Sequence, residues 1–156
     1  MSENSLKIWP SPELSIICSP VQNFAYIPDL IDQMIQVMNA ERGLGLAANQ
    51  IGHNISLFIM RCKSDIIEII NPEIISTDGE QYEDEGCLSF KNLFTKIKRP
   101  MQIHFRCVNK NNEPKEYIAY GKEAQCFAHE YDHLLGKTIL DYANRQEKKR
   151  ILKALK

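Results

Sequence analysis

Two histidines four residues apart, with a glutamate directly after the first, constrain this chain more than any other feature: His129-Glu130-Tyr131-Asp132-His133. On an α-helix, residues four apart lie one turn apart on the same face. Both imidazoles can then reach one metal ion, with Glu130 beside them. Zinc, or a similar first-row divalent ion, takes imidazole nitrogen at ~2.0–2.1 Å, so the ligands must converge closely. A catalytic site also needs a third protein ligand and one open coordination position. Residues 123–135 are therefore expected to form a helix, ended by Gly136.

The chain has 156 residues, enough for one domain spanning 1–156 with a real hydrophobic core. A net charge of −1 lacks the strongly basic footprint of a specific DNA binder. No apolar run approaches the ~20 residues of a membrane span, and Met1 to Lys7 carry no apolar stretch of the signal-peptide kind. A soluble cytoplasmic protein is expected. The five cysteines are odd in number and form no CxxC pair, which argues against a disulfide framework.

Ile27, Leu30, Ile31, Met34, Val37 and Met38 recur at helical steps, with Pro28 suited to a first turn and Gly43 beyond the end. Trp9-Pro10-Ser11-Pro12 reads as a turn-rich entry that excludes a helix. Residues 55–60 and 66–70 read as strands, the second closed by an Asn71-Pro72 turn, with Ile74-Ile75 starting a third. The acidic run 78–85, five carboxylates in eight residues, reads as a solvated loop. Residues 101–108 alternate as a half-buried strand whose hairpin partner is 115–120. A basic helix is expected over 145–156. Helix, strands and helix in this order predict an α+β fold: mainly antiparallel sheets around a central His-Glu-x-x-His helix, with an N-terminal and a C-terminal helix.

The third ligand has a candidate in Glu85-Gly86-Cys87-Leu88-Ser89. A thiolate suits zinc or iron, and glycine lets backbone approach a ligand closely. Residues 43–50, Gly-Leu-Gly-Leu-Ala-Ala-Asn-Gln, form a third notable stretch. No Walker lysine or dinucleotide pattern follows it, so it is not a phosphate loop. These three stretches resemble, in order and spacing, the three signature motifs of the peptide deformylases, and the similarity covers nearly the whole chain.

The resemblance implies that Cys87, His129 and His133 bind one divalent metal ion, Fe2+ in the cell, with Zn2+, Ni2+ or Co2+ able to replace it. It implies Glu130 as general base and Gln50 with the backbone N–H of Leu88 as oxyanion donors. Leu44, Gly45 and Gly86 would pair with the substrate backbone like an added strand, and Cys126 would line the pocket for a methionine side chain. Glu85 and Arg99 would form an ion pair behind the ligands. The implied substrates are formylmethionyl nascent peptides, deformylated with release of formate. The basic helix, Arg145 to Lys156, is a candidate ribosome contact.

The chain departs from the family pattern after Ser89, where Phe90-Lys91-Asn92 replaces an aliphatic residue, proline and glycine, and at Phe94, where some relatives carry arginine. Two rival readings remain. A zinc metallopeptidase of the HExxH type draws its third ligand from a glutamate or histidine after the helix, but no histidine follows His133 and Glu147 is the only later glutamate. A metal-stabilised binding module needs a closed four-ligand site, and no fourth Cys or His is evident at matching spacing.

Overall fold

The computed structural model describes residues 5–155, with Asn92 described by its backbone only. After a one-turn 3-10 helix at Pro12–Ser15 come α1 (Ile27–Ala40), β1 (Gly45–Ala47), a second 3-10 turn (Ala48–Ile51) and six further strands. These are β2 (Leu57–Cys62), β3 (Asp65–Asp78), β4 (Gln81–Cys87), β5 (Phe90–Arg99), β6 (Gln102–Val108) and β7 (Pro114–Tyr120). Then follow α2 (Lys122–Leu134), a 3-10 turn (Ile139–Tyr142) and α3 (Arg145–Ala154). All named strands pair antiparallel: five in the order β1-β2-β3-β6-β7, and β4 with β5 as a separate hairpin. The fold is α+β.

The four-residue run Leu57 to Met60 explains how the layers stack, because all four residues are fully or almost fully buried. Successive strand residues face opposite sides. Leu57 and Ile59 pack with Leu30, Ile31, Met34 and Met38 of α1. Phe58 and Met60 pack with Phe127, Ala128 and Leu134 of α2. The sheet is thus covered on both faces. Phe105 stacks on Phe127 at 4.1 Å, anchoring α2 to the sheet's far half.

Ala124, Phe127, Ala128 and Leu134 of α2 join the sheet-side core. Gln125, His129, Asp132 and His133 instead bond to groups of β4, β5 or the β4–β5 turn. The helix that carries the histidine pair therefore lies between the sheet and the hairpin.

Three sequence expectations need correction. Asn71-Pro72 does not end a strand: β3 runs through it with a register shift between Ile70 and Glu73, and absorbs Ile74-Ile75. Asn71 adopts φ 52, a left-handed value that asparagine tolerates, and its amide is held by both backbone groups of Val21. The bulge also excuses Pro72 from donating a ladder hydrogen bond. The acidic run is not a loop; Gln81–Cys87 is a strand that exposes Glu83 and Asp84 and buries Glu85. Finally, Pro12 opens a short helix rather than excluding one, because proline's fixed φ suits a first turn.

Strand β5 was not predicted. Its signal is the alternation of buried Thr95, Ile97 and Arg99 with exposed Phe94, Lys96 and Lys98. Helix α3 buries Ile151 beside Phe90, Ile97 and Ile139 and leaves Lys148, Lys149, Arg150 and Lys153 exposed. Lys156 and the Asn92 side chain lie outside the described residues. No helix among the described residues is long and apolar enough to cross a membrane.

Candidate metal centre and peptide cleft

Three chain segments bring Cys87, His129 and His133 together, with one donor atom from each lying within 4.8 Å of the others. Cys87 Sγ is 3.4 Å from His133 Nε2. Tetrahedral coordination with Zn–S near ~2.3 Å and Zn–N near ~2.0–2.1 Å separates ligand atoms by about 3.5 Å. The donor set of one sulfur and two imidazoles therefore fits a first-row divalent ion. The imidazoles come from one helix face. The thiol comes from the last residue of β4, where a register shift between Gly86 and Cys87 turns the strand inward.

Two of the three candidate ligands, His129 and Cys87, are themselves held, whereas His133 Nδ1 has no hydrogen-bond partner among the described residues. Glu85 is an acceptor as a carboxylate, so His129 Nδ1–H donates to Glu85 Oε1 at 2.9 Å, leaving Nε2 for the metal. Arg99 forks onto the same carboxylate, with Nε to Oε2 at 2.7 Å and Nη2 to Oε1 at 2.8 Å. Burial raises the Glu85 carboxyl, but the hydrogen bonds from Arg99 and His129 outweigh it and leave it below its ordinary value. The Gln50 side chain donates from Nε2 to Cys87 Sγ at 3.7 Å and to Ser89 Oγ at 3.1 Å. Its Oε1 accepts from the Ala47 N–H at 2.9 Å. In this arrangement both Gln50 N–H groups are directed at the Cys87 loop.

Glu130 is 3% exposed, and its Oε1 has no hydrogen-bond partner among the described residues. Burial pushes its carboxyl up to about 7, with His129 and Arg99 opposing and Glu85 and Asp132 adding. Its neighbour across the cleft is Gly45. A Cβ there would stand 2.7 Å from Glu130 Oε2 and 3.0 Å from Cys126 Sγ. Gly45→Ala is therefore expected to displace Glu130 and cut turnover by ~10²-fold, the scale of a ~1 Å misplacement. Assaying the variant beside its circular dichroism checks this; full activity in a folded protein would contradict it.

A cleft of ≈ 540 Å³ opens over these groups, lined among others by Leu44, Gly45, Gly86, Leu88, Cys126 and Glu130. Among the described residues, β1 pairs only with β2, and β4 only with β5. Each therefore presents a second strand edge beside the cleft. Cys126 is half-buried and its thiol lies 3.6 Å from the Leu44 carbonyl. Burial, with Glu130 and Glu85 adding, holds that thiol well above its ordinary pKa, so it stays neutral and serves as lining. Leu88 sits in the β4–β5 turn, its side chain against Gly43, where a Cβ would meet Leu88 Cδ1 at 2.8 Å.

The chain matches the family model described as "Polypeptide deformylase" over residues 4–149. It belongs to the peptide deformylase family. Curated deformylases with this similarity include one from Hahella chejuensis, 36% identical over 99% of this chain and 95% of that one. Another, from Alkalilimnicola ehrlichii, is 35% identical over 95% of this chain and 86% of that one. Among solved structures, the peptide deformylase of Ehrlichia chaffeensis in complex with actinonin superposes with a TM-score of 0.94 at 30% identity, covering 99% and 96% of the two chains. That of Legionella pneumophila gives 0.93 at 31%, covering 96% and 91%. Family membership sets aside the metallopeptidase reading.

Sequence reasoning did not find the contacts of three residues around this candidate site. Ser89 is fully buried and accepts from Gln50. Asp132 is buried and accepts from Arg99 Nη1 at 2.6 Å and from the Tyr142 hydroxyl at 2.7 Å. Asp132 lies within the signature itself, so its burial was open to inference. Tyr142 left no signal beyond its distance in sequence from everything it touches. Burial and the bond to Asp132 push its hydroxyl up to about 12, so it donates at neutral pH.

Proposed function

We infer that this chain is a metal-dependent hydrolase that removes the N-formyl group from formylmethionyl nascent peptides, releasing formate in the cytoplasm. The observation that carries the reading is the convergence of Cys87, His129 and His133 beside buried, unpartnered Glu130, in a chain of this family. Those three residues would hold one divalent ion; Fe2+ is the native metal we assign, with Zn2+, Ni2+ or Co2+ as substitutes. When bound, such an ion polarises a carbonyl and lowers the pKa of water from 15.7 to about 7.

The protein's own groups do the rest. The two strand edges, with Leu44 and Gly45 on one side and Gly86 on the other, hold the peptide backbone as an added strand. The apolar wall with Cys126 receives the methionine side chain. Glu130 takes a proton from the attacking water and delivers it to the departing amine nitrogen. Gln50, by redirecting one of its two N–H groups, and the Leu88 N–H stabilise charge on the formyl oxygen. Such donors typically contribute ~2.7–4 kcal/mol each. Glu85, held by Arg99, keeps His129 oriented.

The test is formate release from formyl-Met-Ala-Ser, run beside an internal-peptide substrate, with and without chelator. Formate release that chelator abolishes and metal restores is expected, with the internal peptide untouched; cleavage of the internal peptide instead would overturn the reading. Cys87→Ala is expected to lower metal retention after dialysis by more than 10-fold, since losing only an outer-shell partner already costs ~10–100-fold. Metal analysis checks it, and wild-type retention would remove Cys87 from the site. The basic face of α3 we assign to ribosomal RNA near nascent chains. Co-sedimentation with ribosomes that weakens as salt rises is expected; absence of co-sedimentation at every salt concentration would exclude it.

A further inference from the structure

Behind the ligands runs a chain of side chains that the reaction as described above uses only in part. Tyr142 donates its hydroxyl to Asp132 Oδ2 at 2.7 Å. Arg99 Nη1 donates to the same oxygen at 2.6 Å. Arg99 Nε and Nη2 grip Glu85, and Glu85 accepts from His129 Nδ1. The path links the 3-10 turn Ile139–Tyr142, helix α2, strand β5 and strand β4. Asp132, Arg99 and Glu85 are each at most 8% exposed.

We propose that Tyr142 and Asp132 are positioning residues that set the affinity of the Cys87, His129 and His133 site for its ion. The inference rests on the reading of those three residues as metal ligands. Asp132 stands three residues after His129 and directly before His133 on α2. Arg99 bridges it to Glu85, two residues before Cys87 on β4. The guanidinium therefore staples the helix that carries both imidazoles to the hairpin that carries the thiol, and the length of that staple sets how closely the donors converge.

Tyr142 completes the staple in two ways. Its hydroxyl satisfies Asp132 without adding charge, so the single Arg99 cation need not neutralise two buried carboxylates alone. Its ring lies 4.7 Å from Arg99 Cζ, where it shields the guanidinium from solvent. A partner bonded directly to a ligand typically changes metal affinity by ~10–100-fold; Tyr142 stands four hydrogen bonds from His129, so the lower end of that range is expected. The ring and the hydroxyl can be separated experimentally, because phenylalanine keeps the first and removes the second.

The experiment titrates Co2+ into metal-free wild type, Tyr142→Phe and Asp132→Asn against a chromophoric chelator. It records the visible cobalt spectrum and, separately, thermal unfolding of each metal-free protein. Tyr142→Phe is expected to bind Co2+ about 10-fold more weakly and to shift the cobalt bands. Its metal-free unfolding temperature should stay close to wild type, and KM for formyl-Met-Ala-Ser should be unchanged in the loaded enzyme. Wild-type affinity and spectrum in Tyr142→Phe would overturn the proposal, as would a loss of thermal stability with no change in affinity. Asp132→Asn, where it folds, should weaken binding at least as much. Co2+ binding is read without substrate, and formate release by the wild type is a separate measurement, so a failed deformylase assay and a failed staple are told apart.

Discussion

Glu130→Gln is expected to lower formate release by ~10²–10⁴-fold while leaving metal content unchanged, the range over which a positioned acid or base usually acts. The substitution is nearly isosteric, so the cleft keeps its shape and Gly45 still faces a side chain of the same length. What disappears is the ability of the side chain to take a proton. Glu130 is not a ligand in the cluster of Cys87, His129 and His133, so the ion has no reason to leave. A second readout points the same way. Keeping a carboxyl at 3% exposure with one oxygen unpartnered opposes folding, and a neutral amide reduces that cost. The unfolding temperature of the variant should match or exceed wild type while activity collapses. Metal-loaded Glu130→Gln that retains activity within a few-fold of wild type would exclude the residue as the proton carrier.

That opposition between activity and stability also explains which parts of the molecule could be read from sequence. Where burial follows a simple period, the reading came out close to the structure. The steps of three and four from Ile27 to Met38 gave α1, and the alternation around Ile103, Phe105 and Cys107 gave β6. Glu85 shows the limit. Local composition places it in an acidic, solvated run, but Arg99 from a neighbouring strand makes its burial tolerable. A rule that sees only neighbours in sequence leaves Glu85 in solvent; it was the resemblance to the family that paired it with Arg99, fourteen residues away, as the structure does. Asn71-Pro72 failed for a related reason: the dipeptide favours a turn, yet Val21, fifty residues earlier, holds Asn71 in a bulge and lets the strand continue. The convergence of Cys87, His129 and His133 was legible because metal chemistry demands particular residue types. The contacts that Ser89, Asp132 and Tyr142 make around that cluster answer only to three-dimensional packing.

Arg99→Leu is expected to destabilise the protein by ~3–5 kcal/mol, the cost of stranding buried charges that have lost their partner. For a chain of this size that corresponds to a fall of roughly 6–20 °C in unfolding temperature, at about 2–4 °C per kcal/mol. Two carboxylates, Glu85 and Asp132, share this one cation, and both are less than a tenth exposed. Leucine fills much of the volume, so loss of packing is a minor part of the effect. Lysine makes the sharper comparison. It restores the charge but offers a single ammonium in place of the planar fork that reaches Glu85 through two N–H groups and Asp132 through a third. Arg99→Lys should therefore recover part of the stability and little of the metal affinity, because neutralising the carboxylates requires only a charge nearby, whereas holding Glu85 against His129 requires the fork. Thermal unfolding and Co2+ titration of the two variants separate these contributions. Equal recovery of stability and affinity in Arg99→Lys would mean that charge alone, and not the geometry of the guanidinium, supports the site.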